Sequence, residues 1–171
     1  MEETPVIRIR QSGDLPGTAD ALVAVHASDG YPVEGVDHPQ EWLNPPGFIR
    51  AWVAEISGRV VGHVAISSPQ GEDAVSLYRR HAQDSQESVA VLARLFVLPE
   101  ARNRSTGERL MEAATRHAEE ENLRLVLDVM TKDVAAIRLY ERLGWQRLGT
   151  TTHTYGEGQQ TEAVCFASPN R

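Results

Sequence analysis

The stretch Leu95-Phe96-Val97-Leu98-Pro99-Glu100-Ala101-Arg102-Asn103-Arg104-Ser105-Thr106-Gly107-Glu108-Arg109-Leu110 decides how this chain is read. It leaves the most apolar run of the sequence, Val89 to Leu98, crosses a basic turn, and enters a segment whose apolar face is marked by Leu110, Met111, Ala114 and Ala118. The apolar run falls short of the roughly 20 residues that span a membrane and has the length of a buried strand. Strand, turn and helix in that order make an anion site. The first turn of a helix carries N–H groups without internal partners, at the positive end of the dipole. Gly107 lets backbone come close to a ligand, and Arg102 and Arg104 add positive charge. A pyrophosphate suits this place. An ordinary helix start with two solvated arginines suits the same residues.

Toward the amino end, Val6 to Arg10 reads as a strand and Gly13-Asp14-Leu15-Pro16 as a break. Ala19 to Ser28 reads as a helix through Leu22, Val25 and His26. The segment 30–47 holds four prolines and reads as a loop with a short helix near Pro39 to Leu43. Ala51 to Ile56 and Val60 to Ile66 flank Ser57-Gly58-Arg59, an antiparallel hairpin. The polar stretch 69–87 places Ala74, Leu77, Tyr78 and His81 at helical spacing, so it is either a short amphipathic helix or a solvated connector. Toward the carboxy end, Leu123 to Met130 is a second buried strand. A helix follows through Ala136, Ile137, Tyr140 and Leu143, closed by Gly144. Trp145 to Tyr155 and Thr161 to Ala167 read as two last strands around Gly156-Glu157-Gly158. The pattern predicts one α/β domain over 1–171, a mixed sheet of about six or seven strands with helices packed on it.

The 171 residues match a single domain at about 150 residues per domain. A net charge of −7 argues against sequence-independent nucleic-acid binding, which uses a basic face. The lone cysteine, Cys165, forms no internal disulfide and reads as core. The acidic start Met1-Glu2-Glu3-Thr4 is unlike a signal peptide. The expectation is a cytoplasmic protein without nucleic-acid or membrane partners. The sequence lacks Gly-x-x-x-x-Gly-Lys-Ser/Thr, Gly-x-Gly-x-x-Gly after a strand, His-Glu-x-x-His and Gly-x-Ser-x-Gly. Six scattered histidines and one cysteine give no zinc spacing, so no metal is expected.

Arg102-Asn103-Arg104-Ser105-Thr106-Gly107 resembles the acyl-CoA-binding signature of the GNAT acetyltransferase superfamily, Arg/Gln-x-x-Gly-x-Gly/Ala. Asp133-Val134-Ala135-Ala136-Ile137-Arg138-Leu139-Tyr140-Glu141-Arg142-Leu143-Gly144-Trp145 resembles the family's second signature, Asn-x-x-Ala-x-x-Leu-Tyr-x-x-x-Gly-Phe. Two positions depart from the pattern. Ser105 stands for the first loop glycine, keeping the N–H donor but adding a side chain. Asp133 stands for asparagine; it also caps helices, but it donates no hydrogen bond when ionised.

The resemblance implies a GNAT fold whose parallel strands around 89–98 and 123–130 splay apart, and acetyl-CoA as cosubstrate. Pantetheine would bond the backbone of Leu95, Phe96 and Val97. The pyrophosphate would sit on the N–H groups of Arg102, Asn103, Arg104, Ser105, Thr106 and Gly107, and Glu108 would join the cofactor-binding residues. Asp133, Ala136 and Tyr140 would complete the cofactor side. An amine would attack the thioester directly, a backbone N–H near Val97 would steady the oxyanion, and Tyr140 would give a proton to the departing thiolate. The plain alternative for Tyr140 is a core ring whose hydroxyl bonds backbone. Candidate bases are Asp128, placed among apolar strand residues where a carboxyl pKa rises, and Glu87; His26 and His63 have suitable ordinary pKa values. Asp128 also reads as a strand-end charge facing the cleft or pairing with Arg124.

The acceptor is expected to be a small primary amine; a peptide amino terminus and a non-catalytic CoA-binding sensor are the alternatives. Tyr31, Glu34, Trp42, Tyr78 and Glu87 suit a cationic acceptor, since rings and carboxylates attract cations, and the same composition also suits ordinary packing. The two terminal strands, rich in uncharged threonines (Thr150, Thr151, Thr152 and Thr154), are expected at the sheet end, where they would form a homodimer interface.

Overall fold

The computed structural model describes residues 4–81, 88–102, 104–155 and 157–169. Glu87 and Asn103, both named above, lie outside the described residues. The elements are β1 (Val6–Ile9), α1 (Leu15–Asp29), α2 (Pro39–Trp42), β2 (Phe48–Ile56), β3 (Arg59–Ser67), α3 (Asp73–His81), β4 (Ser88–Val97), α4 (Thr106–Glu120), β5 (Leu123–Met130), α5 (Val134–Arg142), β6 (Gln146–Tyr155) and β7 (Gln159–Ala167). The seven strands form one sheet in the order β1-β2-β3-β4-β5-β7-β6. It is mixed: β4 and β5 run parallel, while β1–β2, β2–β3, β5–β7 and β6–β7 are antiparallel. The chain therefore has the α/β architecture with the element order expected from its sequence. Among the described residues no helix is long and apolar enough to cross a membrane, and no group of His, Cys, Asp and Glu could hold a metal.

Two local outcomes differ from the sequence reading, at α1 and at the sheet edge, and a third decides between its alternatives. α1 starts at Leu15 and not Ala19, because Pro16 sits in its first turn, where a missing N–H costs nothing. The polar stretch after β3 does form a helix, α3, whose Ala74 and Tyr78 are buried. Of the two terminal strands, only β6 is at the sheet edge; β7 lies between β5 and β6.

The chain clusters into two compact units, residues 1–67 with 93–114 and residues 68–92 with 115–171. In the first unit, the β2–β3 hairpin turns through Ser57 and Gly58. Both have positive φ (49° and 81°), as the tightest hairpin turn requires. Leu22, Val25, Val53, Val64, Ile66 and Leu110 are buried. Gly62 of β3 is there for space: a Cβ would lie 3.1 Å from Leu110 Cδ1 and 3.3 Å from the Phe96 carbonyl. In the second unit, β5 pairs β7 from Val126↔Ala167 to Met130↔Ala163, over a core containing Leu125, Leu127 and Phe166. Cys165 is buried there, as expected, and burial pushes its thiol up to about 11.

Candidate functional site

The parallel register of β4 with β5 runs from Ser88↔Leu123 to Val91↔Val126. Three residues later Arg94 adopts φ 58°, in the left-handed region. A non-glycine residue held there costs roughly 1–2 kcal/mol, so its surroundings must fix it. Three contacts do so. Arg94 Nε donates to the Trp42 carbonyl at 2.6 Å. The guanidinium lies 4.6 Å from the centroid of the Trp42 ring. The Arg94 carbonyl accepts from His63 Nδ1 at 2.9 Å.

His63 is fully buried and stacks on Phe96 at 5.3 Å between centroids. Its Nε2 accepts from Arg10 Nη1 at 3.0 Å, so the proton belongs on Nδ1. Burial pulls its pKa down to about 3; the charges of Arg10 and Arg94 add to the fall, and the bond to the Arg94 carbonyl opposes it. His63 is thus a neutral strut with both ring nitrogens bound inside the fold.

Past Arg94, Leu95 and Val97 are half-buried and Phe96 is buried. Leu98 N–H donates to the Val61 carbonyl at 2.8 Å, and a single 3-10 turn, Pro99–Ala101, leads into the basic loop. Arg102 Nε donates to the Val97 carbonyl at 3.0 Å, and its Nη2 pairs with Asp29. Arg102 therefore ties the loop to the end of the strand, and Asp29 balances its charge. Arg104 is half-buried and Ser105 exposed. Thr106 is buried and donates its hydroxyl to the Ala101 carbonyl at 2.9 Å.

Ser105 has φ 59°, the conformation in which the family pattern places glycine. It precedes α4, and its carbonyl accepts from Arg109 N–H at 2.9 Å. The backbone amides of Thr106 and Gly107 find no acceptor among the described residues. Two free amides at the positive end of a 15-residue helix are the donor set that a pyrophosphate takes. Glu108 follows in the same turn, half-buried.

In the second unit, Tyr140 sits on α5 with its ring buried. The ring packs edge-on to Phe166 at 5.7 Å and tilted to Trp145 at 6.1 Å. Its hydroxyl has no hydrogen-bond partner among the described residues, so the backbone bond of the plain alternative does not form. Burial raises its pKa above the ordinary tyrosine value, and the charges of Asp133 and Asp128 raise it further.

Asp133 occupies the N-cap position of α5 but makes no capping bond; its carboxylate pairs with Lys132 Nζ at 3.2 Å. Ala136 and His26 are half-buried. Asp128 is exposed on β5, opposite Cys165, and not enclosed among apolar side chains as its sequence neighbours suggested. Strand alternation is the reason: Leu127 and Val129 point to the core and Asp128 points away. Arg124 is buried with its guanidinium 5.4 Å from the Tyr78 ring centroid.

Two of the rings named for a cationic acceptor are engaged by the chain itself. The faces of Trp42 and Tyr78 that suited a cationic substrate already carry the chain's own Arg94 and Arg124. Tyr31 sits edge-on to Trp42 at 5.8 Å, and Glu34 is exposed. Two residues absent from the sequence reading take their place, Arg94 and Arg10. Arg94 had a visible signal, as the lone charge within Val89 to Leu98. Arg10 had none: its partners Leu43 and His63 are 33 and 53 positions away.

This fold is that of N-acetyltransferases. It matches the ribosomal-protein-alanine N-acetyltransferase of Brucella melitensis with a TM-score of 0.70 at 19% identity, covering 96% of this chain and 99% of that one. It matches Arabidopsis thaliana NAA60, solved with acetyl-CoA, with a TM-score of 0.71 at 18% identity, covering 96% and 97%. The chain belongs to the acetyltransferase (GNAT) family, which it matches over residues 19–145. Among curated proteins it is similar to N-acetylaspartate synthetase of Mus musculus, 30% identical over 117 residues, or 68% of this chain and 34% of the mouse protein. The chain thus spans about a third of the length of the curated relatives it matches.

Proposed function

We propose that this protein is an N-acetyltransferase that moves the acetyl group of acetyl-CoA to the primary amine of a small molecule. Beyond family membership, the observation that carries this reading is the Tyr140 hydroxyl, ionisable, protonated and without a protein partner in the helix of the second signature. The residues present fit the cosubstrate. The amides of Thr106 and Gly107, Ser105 and Arg104 would hold the pyrophosphate, and the backbone of Leu95 to Val97 would take pantetheine.

Bound there, acetyl-CoA supplies an activated thioester. There, a backbone N–H following Arg94 would face the developing oxyanion, and Tyr140 would hold the proton for the leaving sulfur. Asp128 and Glu87 remain the candidates for accepting the ammonium proton, Asp128 through solvent because it is exposed. A small-molecule acceptor agrees with the name of the N-acetylaspartate synthetase relatives.

The test is thiol release from acetyl-CoA with a panel of small amines and with a peptide bearing a free amino terminus. Turnover with small amines above the background of hydrolysis supports the reading, and turnover with the peptide alone replaces it. Acetyl-CoA bound in a calorimeter without transfer to any amine makes the protein a sensor.

A further inference from the structure

We infer that the acceptor amine carries a carboxylate and that Arg10 receives it. The inference rests on the acyl-transfer reading above.

Arg10 follows β1, anchored by its N–H to the Ala51 carbonyl at 2.9 Å. Its half-buried guanidinium lies 4.8 Å from the centroid of the Phe48 ring. Nη1 donates to the Leu43 carbonyl at 2.9 Å and to His63 Nε2 at 3.0 Å, and Nη2 donates to Asn44 Oδ1. A guanidinium has five N–H donors. Nε–H and one Nη2–H therefore have no acceptor among the described residues.

Every acceptor that Arg10 does have is neutral. Asp14, the acid whose charge bears on it, is held on both oxygens by Arg8 at 2.7 and 2.8 Å and accepts from Gln11 N–H as well. Arg8 shows the contrast, with two carboxylates of its own, Asp14 and Glu55. A cation withdrawn from water without a counter-charge is costly, and an arriving anion relieves that cost. Two remaining donors of a planar guanidinium suit a carboxylate better than any neutral group.

The position of this cation links it to the acceptor. Two hydrogen bonds, Arg10 to His63 and His63 to the Arg94 carbonyl, connect it to the left-handed residue of β4. The residues just past Arg94 are those that would hold pantetheine. The other side of Arg10 is the 43–48 segment, within the stretch that carries no cofactor signature and is left for the acceptor. In the same unit, Arg94 already lies over the Trp42 ring.

The experiment compares matched pairs of amines that differ only in carboxylate against carboxamide: glycine and glycinamide, β-alanine and its amide, aspartate and its diamide. The wild-type kcat/KM is expected to favour the carboxylate members by about tenfold or more, the worth of a charge-assisted hydrogen-bond pair. Arg10→Gln should bring that ratio close to one through KM, with the KM for acetyl-CoA unchanged. Arg10→Lys, which keeps the charge but not the fork, should fall between. A purely structural role would lower all activities together and leave the ratio alone.

Equal rates within the pairs, or a preference that survives Arg10→Gln, overturns the inference. If no amine is acetylated, the acyl-transfer reading is what fails. The Arg10 Nε–H resonance titrated with succinate and with succinamide then decides the anion site separately. A shift with succinate alone supports it, and a resonance that moves with neither or equally with both overturns it.

Discussion

The carbonyl of Arg94, a residue in left-handed backbone, accepts the proton of a fully buried His63 at 2.9 Å. The pKa of His63 falls from 6.5 to about 3, so the unfolded chain binds a proton in that interval that the folded chain does not. Stability should drop as pH falls from about 6.5 toward 3, by roughly 1 kcal/mol per pH unit from this group alone. Asp14, held near 2 chiefly by its bonds to Arg8, contributes stability above its ordinary 3.8 that is lost below it, in the same direction. Urea unfolding across this range, compared with His63→Gln, should show a flatter profile between pH 6.5 and 5 for the variant. An identical slope would place the acid sensitivity elsewhere.

Ser105 holds φ 59° with its side chain exposed. Ser105→Gly removes the left-handed cost of roughly 1–2 kcal/mol but loosens the unfolded chain by part of that. The net gain should be about 0.5–1 kcal/mol in denaturant unfolding, with CoA bound at least as tightly. Lower stability would mean that the serine side chain supports the loop.

Tyr140→Phe removes only an unpartnered hydroxyl. The turnover number should fall by about 10²–10⁴-fold, the usual worth of a positioned acid, with acetyl-CoA affinity unchanged in calorimetry. Because burial raises this pKa, the wild-type rate should show no loss from tyrosine ionisation up to about pH 10. Normal turnover in the variant would remove the role.

Arg102→Ala combined with Arg104→Ala should weaken CoA by about tenfold through lost charge-assisted contacts. Arg102→Ala alone should do less, since its charge is already balanced by Asp29. Calorimetry that finds the double variant unchanged would take the pyrophosphate away from this loop.

β6 is an edge strand, and its Thr152 is exposed. Two-fold self-pairing is a common way to cover such an edge. Light scattering should give twice the chain mass of 18.9 kDa, and Thr152→Lys should halve it. A wild-type mass near 18.9 kDa would rule the dimer out.

Legibility from sequence followed the range of the forces involved. β5 spans Leu123–Met130, as expected, because polar segments bound both ends of a mostly apolar run interrupted only by Arg124 and Asp128. α5 ends where Gly144 takes φ 84°. The left-handed backbone at Arg94 is not legible from alternation because β4 is apolar on both faces before it; only the lone charge marks the position. Asp128 stays open between an enclosed carboxyl and a strand-end charge in the sequence, because periodicity within a strand does not say which face is covered; its exposure leaves the second. Arg10 depends on Leu43, Asn44 and His63, brought together by the sheet and not by spacing. The loop from Arg102 to Gly107, by contrast, is local, and its strand–turn–helix form was visible in consecutive residues.

Trp42, with the Arg94 guanidinium fixed 4.6 Å over its ring, is also a built-in optical probe. A positive charge at that distance biases the indole excited state, so the wavelength of its fluorescence records where that charge sits. A ligand that drew Arg94 aside would change the colour of the emitted light without any label. Substituting Trp52 and Trp145 by phenylalanine would leave Trp42 as the lone source of the signal.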